Sequence, residues 1–156
     1  MIKSFSKFNK KKENKLIIVG EGEERAKLEK LIEEKKLDNF VKLVGYQDNV
    51  FTFFEKSKCF ILSSLWEDPG FVILEAGFSN TFVISSDCRN GPEEILDFGR
   101  NGILFKSNDE SSLVKALENF ENLSDEKKDE YKLKLKKKIK DFSLLRHYNK
   151  LTCFLD

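Results

Sequence analysis

The sequence of 156 residues has few of the residues that most often build metal or disulfide sites. It contains one histidine, His147, and three widely separated cysteines, Cys59, Cys88 and Cys153. None of the cysteines has the C-x-x-C spacing, so the pattern is typical neither of a zinc site nor of a disulfide framework, and it favours a reducing, cytoplasmic location. One histidine also gives no basis for a His-based metal cluster or a Ser-His-Asp triad. We therefore predict no metal ligands.

The sequence also lacks a long apolar run and an excess of either charge. No stretch approaches the ~20 apolar residues of a membrane-spanning helix, and residues 1–5 lack the apolar segment of a signal peptide. The 28 Lys and Arg residues against 27 Asp and Glu residues give a formal net charge of +1. This balance excludes the broad basic field expected of a nucleic-acid-binding protein.

The apolar residues that are present can form one substantial core, since 40% of the chain is hydrophobic and 15 residues are Phe. Domains typically hold about 100–200 residues, so we predict a single domain over residues 1–156, with a core at about 15–120 and C-terminal helices at about 125–155. Strand and helix patterns alternate, which indicates an α/β fold with a parallel sheet covered by helices on both faces. The predicted strands are 16–19, 41–44, 59–62, 82–86 and 103–105, and the predicted helices before residue 125 are 2–9, 23–36, 50–56, 71–78, 92–96 and 110–120.

The most informative stretch, WEDPGFVILEAG over residues 66–77, runs from the end of a predicted strand into a predicted helix. In an open α/β sheet, ligands bind just past the carboxyl ends of strands. The first free amides of the following helix favour an anion there. Glu67 and Glu75 bracket this position, with seven residues between them. One of the two carboxylates can contact one part of a ligand and the other a second part, while the amides bind a phosphate. This arrangement suits a sugar nucleotide.

Three stretches, taken together, resemble the C-terminal, donor-binding half of group 1 retaining glycosyltransferases, which have the two-domain GT-B fold. The first is the strand, Gly-x-Gly turn and helix start over residues 16–25. The second is the Glu67 and Glu75 pair, which is similar to the family's E-x7-E motif. The third is GPEEIL over residues 91–96, followed by Asn-Gly at 101–102. The resemblance covers about residues 15–120 and implies a Rossmann-like sheet.

The resemblance also implies functional roles. Glu67 lies against the transferred sugar and is the expected catalytic residue, and Glu75 accepts hydrogen bonds from the two ribose hydroxyls. The expected donor-binding residues are Gly20, Gly22, Gly70, Phe71, Val72, Glu75 and Glu94. The implied reaction transfers a sugar, with retention, from a UDP- or GDP-sugar to a glycan or lipid-linked acceptor in polysaccharide biosynthesis. It needs no bound metal or other cofactor.

The sequence departs from the family pattern at two places. Asp68-Pro69 precedes Gly70-Phe71, where many members have Glu-Gly-Phe. The family's donor domain begins with a strand that carries an Arg and a Lys, and we expect both that strand and the N-terminal acceptor domain to be absent here. Two hypotheses therefore stay open. The chain is either a donor half that works with a separate acceptor domain, or a truncated, non-catalytic fragment that at most binds a nucleotide.

Other features allow more than one interpretation. The Gly-Glu-Gly turn at 20–22 lacks the third glycine of a dinucleotide fingerprint, which disfavours NAD. Glu67 and Glu75, taken alone, are also compatible with solvated helix-end charges. The lysine-rich segment 132–140 can contact an anionic membrane at its inner face, or it can be the solvated face of a long helix. Apolar residues near the end of the chain predict either an exposed stripe or a dimer seam, and these are Leu144, Leu145, Tyr148, Leu151 and Phe154.

Overall fold

The computed structural model describes residues 1–11, 13–143, 146, 148 and 152. Five strands alternate with helices along most of this length, as the sequence predicts. The elements, in chain order, are α1 (Ile2–Phe8), β1 (Leu16–Val19), α2 (Arg25–Glu34), β2 (Val41–Gly45), α3 (Phe51–Lys56), β3 (Cys59–Leu62), α4 (Phe71–Phe78), β4 (Phe82–Ser86), α5 (Pro92–Ile95), β5 (Ile103–Phe105), α6 (Glu110–Asn122) and α7 (Asp125–Lys138).

Every strand pairing between these elements is parallel, which confirms the predicted α/β class. The strands form two sheets, β1–β2 and β3–β4–β5, where the sequence predicted one. In the larger sheet Cys59 lies opposite Phe82, and Ile84 lies opposite Ile103. Since the strands within each sheet are parallel, their carboxyl ends lie at one edge, where the loops that follow can meet.

The three-stranded sheet is covered on both faces, because side chains alternate between the faces of a strand and both sets are apolar. On one face the core is formed with helices α3, α4, α5 and α7, and its buried residues include Phe54, Leu62, Ile73, Ala76, Val83, Ile95, Leu96 and Leu135. On the other face α6 supplies the helical part of the core, and the buried residues include Phe82, Ile84, Ile103, Phe105, Leu113, Leu117 and Phe120.

The two-stranded sheet has a different cover. Helices α1 and α2 pack with it in one cluster, through Ile2 and Phe5 of α1 and Ile32 of α2. Along β1 the burial alternates, with Leu16 buried and Ile17 exposed. This alternation is typical of a strand with one covered face. The core of the β1–β2 sheet therefore lies mainly on the side of α1 and α2.

The C-terminal segment predicted to be helical over 125–155 is divided. Helix α7 ends at Lys138, a 3-10 turn covers Ile139–Phe142, and Ser143 is extended. Lysines of α7 pair with carboxylates of the same helix, as Lys132 does with Asp129 at 2.6 Å, and this pairing fits a solvated helix face. Tyr148 of the predicted apolar stripe is exposed. The other four stripe residues, Leu144, Leu145, Leu151 and Phe154, lie outside the described residues. His147 and Cys153 lie outside them as well.

None of the helices in the described residues combines the length and the apolar character needed to span a bilayer.

Candidate functional site

The amino end of α4 presents free backbone amides. Gly70 precedes the helix with a left-handed backbone (φ 84°), and no side chain caps the helix there. The first helical hydrogen bond runs from the Ile73 amide to the Gly70 carbonyl at 3.0 Å. The amides of Phe71 and Val72 precede that bond, and within the described part of the chain nothing accepts a hydrogen bond from them. Together with the helix dipole, these donors favour an anion.

Two unpaired carboxylates, Glu67 and Glu75, lie on either side of these amides in the sequence. The Glu67 side chain lies over Gly70, with its Cβ and Cγ 3.5 Å from where a Cβ of that glycine would be. Glu75 follows one turn into α4, and both glutamates are half-buried. Neither carboxylate forms a hydrogen bond or an ion pair with another described residue. Both are therefore free to accept hydrogen bonds from the hydroxyls of a ligand.

Hydrogen bonds join the carboxyl ends of the three strands below this turn. The Ser86 hydroxyl, at the end of β4, donates to the Ser64 carbonyl after β3 at 2.7 Å. The Asp87 amide donates to the Phe105 carbonyl of β5 at 2.8 Å, and the Asp87 carboxylate accepts from the Ser107 amide at 2.6 Å. Sequence reasoning missed these contacts. The available signal was the position of Ser63-Ser64 and Ser85-Ser86 at the ends of apolar strands.

The loop of residues 87–91 lies against the turn of residues 66–72. Trp66 and Arg89 form an isolated parallel bridge, and the Glu67 amide donates to the Arg89 carbonyl at 3.4 Å. Helix α5 begins directly after this loop and carries Glu94, whose side chain is exposed. The structure thus brings Glu67, Gly70, Phe71, Val72, Glu75 and Glu94 onto two adjoining segments at one edge of the larger sheet.

The two remaining candidates, Gly20 and Gly22, lie at the carboxyl end of β1, in the other sheet. Gly20 has φ 129° and donates its amide to the Gly45 carbonyl at 2.8 Å. Neither glycine has a heavy atom within 4 Å of where a Cβ would be, apart from its own chain neighbours. No hydrogen bond or ion pair joins residues 20–22 to residues 66–72 in the described structure. A ligand can approach their backbone closely, but these glycines form a separate turn.

Arg25 and Arg89 differ in their availability to an anion. Arg25 is committed to its own helix and turn, since it pairs with Glu21 at 2.8 Å and with Glu29 at 2.9 Å. The Arg89 side chain is exposed and has no ion-pair partner among the described residues. No group of three His, Cys, Asp or Glu residues in the described regions is arranged to hold a metal ion. The free amides and the Arg89 side chain are therefore both available to an anion at this edge of the sheet.

Comparison with known proteins gives a family match. A model for "Glycosyl transferases group 1" matches residues 1–141. An uncharacterized glycosyltransferase of Methanocaldococcus jannaschii is 47% identical over 97 residues, which are 62% of this chain and 24% of the relative. The N-acetylgalactosamine-N,N'-diacetylbacillosaminyl-diphospho-undecaprenol 4-alpha-N-acetylgalactosaminyltransferase of Campylobacter jejuni is 29% identical over 133 residues, or 85% of this chain and 36% of the relative.

Solved structures give the same result for the fold. A point mutant of TarM of S. aureus, crystallised in complex with fondaparinux, alpha-GlcNAc-glycerol and UDP, superposes with a TM-score of 0.81 and 27% identity. The match covers 88% of this chain and 28% of TarM. The predicted fold, a Rossmann-like parallel α/β half of a GT-B structure, is thereby confirmed. The chain spans between 17% and 36% of the length of the curated relatives it matches.

Proposed function

Because the chain belongs to the group 1 glycosyltransferase family, we propose that it forms the donor-binding half of a retaining glycosyltransferase and binds a UDP- or GDP-sugar. One observation carries the proposal. Along the chain, the free amides of Phe71 and Val72 lie between the unpaired carboxylates of Glu67 and Glu75, in the turn and helix that follow β3. A nucleotide sugar has the matching order of groups, namely sugar hydroxyls, a diphosphate and ribose hydroxyls.

Each residue then has a defined part in binding. The amides of Phe71 and Val72 hold the diphosphate, and the αL backbone of Gly70 allows its close approach. Glu75 accepts from the two ribose hydroxyls, which selects ribonucleotides. Glu67 accepts from hydroxyls of the transferred sugar. Gly20 and Gly22 form a second backbone surface on the donor, and Glu94 supplies a further carboxylate from α5.

The same arrangement supports group transfer. As the bond between the sugar and the diphosphate breaks, negative charge grows on the leaving diphosphate, and fixed amides at a helix amino end stabilise it. The amides and Arg89 supply this stabilisation without a bound metal. The UDP in the TarM crystal structure supports a uridine diphosphate donor. The Campylobacter relative acts on a diphospho-undecaprenol compound by its name, which supports a lipid-linked acceptor bound by a separate acceptor domain in the cytoplasm or at the membrane's inner face.

Calorimetric titration of the chain with UDP, GDP and NAD tests the proposal, using Glu75→Gln as the site variant. Glu34→Gln is the matched control, since Glu34 is an exposed carboxylate on α2. We expect UDP or GDP to bind and Glu75→Gln to weaken binding about tenfold or more, because a hydrogen bond to a charged group is worth about 1.5–3 kcal/mol. The control should leave the affinity unchanged. Absence of nucleotide binding by the folded wild-type chain, or binding of NAD alone, contradicts the proposal.

Binding and transfer are separate outcomes. If the chain binds UDP but forms no free UDP from a UDP-sugar when an acceptor domain of the family is added, it is the truncated, non-catalytic form. Release of UDP that depends on both polypeptides, and that is lost in Glu67→Gln, indicates that this chain supplies the donor half of the enzyme.

A further inference from the structure

We propose that the 87–91 loop is a positioning element for the 66–72 turn, and that Gly91 is the positioning residue at their contact. The inference rests on the proposed function in one respect, since the turn it positions is the one assigned to the donor. Its structural basis is independent of any ligand. Two backbone segments from different parts of the chain lie too close for a side chain to fit between them.

The contact between Gly91 and Pro69 is made by backbone atoms. A Cβ on Gly91 would lie 1.9 Å from the Pro69 carbonyl oxygen, 2.7 Å from its carbonyl carbon and 3.1 Å from its Cα. No flexible side chain is available there to move aside. Gly91 also has φ 122°, a backbone conformation that L side chains rarely adopt. Any other residue at 91 must therefore displace one of the two segments.

The 87–91 loop is the segment less able to move. Cys88 is buried, and Pro92, at the start of α5, is fully buried. Asp87 is held at both its amide and its carboxylate, by Phe105 at 2.8 Å and by Ser107 at 2.6 Å. The 66–72 turn is more accessible, with Trp66 60% exposed. A side chain at 91 is therefore expected to push Pro69 outward.

Displacement of Pro69 acts on part of the donor site only. Pro69 is two residues from Phe71, where the free amides begin, and two residues from Glu67. Glu75 lies farther along α4, which is held by the fully buried Ile73 and Ala76. The contacts to the phosphates and the sugar should therefore be lost, while the contact to the ribose is kept.

The first test compares Gly91→Ala with Gly99→Ala. Both glycines have positive φ, but at Gly99 the nearest atom to a Cβ is the Gly102 carbonyl oxygen at 3.9 Å. An alanine is therefore strained in its backbone at both positions, but only at position 91 would its Cβ collide with Pro69. We expect Gly91→Ala to weaken the binding of UDP or GDP about tenfold, which corresponds to about 1.4 kcal/mol. The affinity for the matching nucleoside, measured by ligand-observed NMR, should stay within about twofold of the wild-type value. Gly99→Ala should leave both unchanged.

A milder pair of variants keeps the test usable if Gly91→Ala does not fold. Asp87→Asn retains a side-chain oxygen that can accept from the Ser107 amide, whereas Asp87→Ala does not. Both variants lose the same charge. We expect Asp87→Ala to weaken the phosphate-dependent part of nucleotide binding and Asp87→Asn to restore it. Equal affinities for the two variants would overturn the positioning role of the loop.

A ligand-free measurement separates this inference from the proposed function. Trp66 is the only tryptophan of the chain and lies in the 66–72 turn, bridged to Arg89. Its emission maximum and its quenching by acrylamide should change in Gly91→Ala and stay unchanged in Gly99→Ala. If the tryptophan responds but wild type binds no nucleotide, the loop positions the turn and the proposed function fails. If the tryptophan does not respond, or if nucleoside and nucleotide affinities fall equally, the positioning role of Gly91 is wrong.

Discussion

Strands β4 and β1 are both short, apolar and parallel to their neighbours, yet they are buried to very different extents. All five residues of Phe82–Ser86 are buried, whereas in Leu16–Val19 burial alternates and Ile17 is 47% exposed. Strand β4 has a partner on each side and helices on both faces. Strand β1 pairs with β2 alone, and both of its helices lie on one face. An apolar run therefore does not by itself fix how deeply a strand is buried.

This difference divides the candidate site into two parts. Six candidate residues belong to segments attached to the fully covered sheet, where Ile73 and Ala76 fix α4 in the core. Gly20 and Gly22 extend from the half-covered sheet and are exposed. We infer that the larger sheet gives a rigid platform for the Glu67 and Glu75 pair. The 20–22 turn has fewer buried neighbours to hold it, and substitutions in the two sheets should differ in their effects accordingly.

The largest difference is expected between Ile84→Ala and Ile17→Ala. Ile84 is 0% exposed at the centre of β4, so its truncation removes apolar contacts and leaves a cavity. Such changes cost about 2–5 kcal/mol of unfolding free energy. Ile17 is about half exposed, and its truncation should cost less than about 1 kcal/mol, because its surface is only partly removed from water on folding. Urea denaturation of both variants measures the two values.

The comparison between the sheets fails if Ile17→Ala destabilises the chain as much as Ile84→Ala does. That outcome would mean that Ile17 is covered in solution, for example by association between chains. Repeating the denaturation at several protein concentrations distinguishes association from burial within one chain, since only association makes the midpoint depend on concentration.

A smaller effect is expected from the hydroxyl that joins the strand ends. Ser86→Ala removes the donor to the Ser64 carbonyl and leaves that acceptor with only the longer contact from the Ser107 hydroxyl at 3.5 Å. A poorly satisfied acceptor costs about 1–3 kcal/mol where it is buried, and Ser64 is half-buried, so we expect a loss toward the lower end of that range. The control is Ser57→Ala, after α3, where an exposed hydroxyl donates to the Phe53 carbonyl at 2.6 Å. Water can replace that bond, so thermal denaturation should show little change. Equal losses in the two variants would contradict a special role for the strand-end bonds.

The strand positions could be predicted because their cause is local. The bounds of β1, β3, β4 and β5 agree with the apolar runs, and α4 begins after Gly70 as predicted. Asp109 caps α6, because its carboxylate accepts a hydrogen bond from the Ser112 amide at 2.9 Å. The sequence predicts this cap, since a short polar residue stands directly before an apolar helical pattern. These features depend on residues within a few positions of one another.

The features that were not predicted depend on residues far apart in the chain. The division into two sheets reflects which strands become neighbours, and an apolar run carries no such information. The close approach of Gly91 to Pro69 joins loops more than 20 residues apart. The end of α7 at Lys138 was also missed, because lysines and leucines continue the helical pattern beyond that residue. The placement of Glu67 and Glu75 before and within α4 could be predicted because both residues lie on a single strand-to-helix segment; their role in binding stays a prediction.

The smallest predicted effect uses a thiol in the covered sheet as a probe. Burial raises the pKa of Cys59 in β3 from 9.0 to about 12. Above pH 9 the unfolded chain loses this proton while the folded chain keeps it, so unfolding free energy falls as pH rises, by at most about 1.4 kcal/mol per pH unit. Cys59→Ala removes this contribution, whereas its packing cost is the same at every pH. The stability of wild type relative to the variant, measured by urea denaturation at pH 7, 9 and 10, should therefore decrease with pH above 9. A constant difference would show that the Cys59 thiol is open to water.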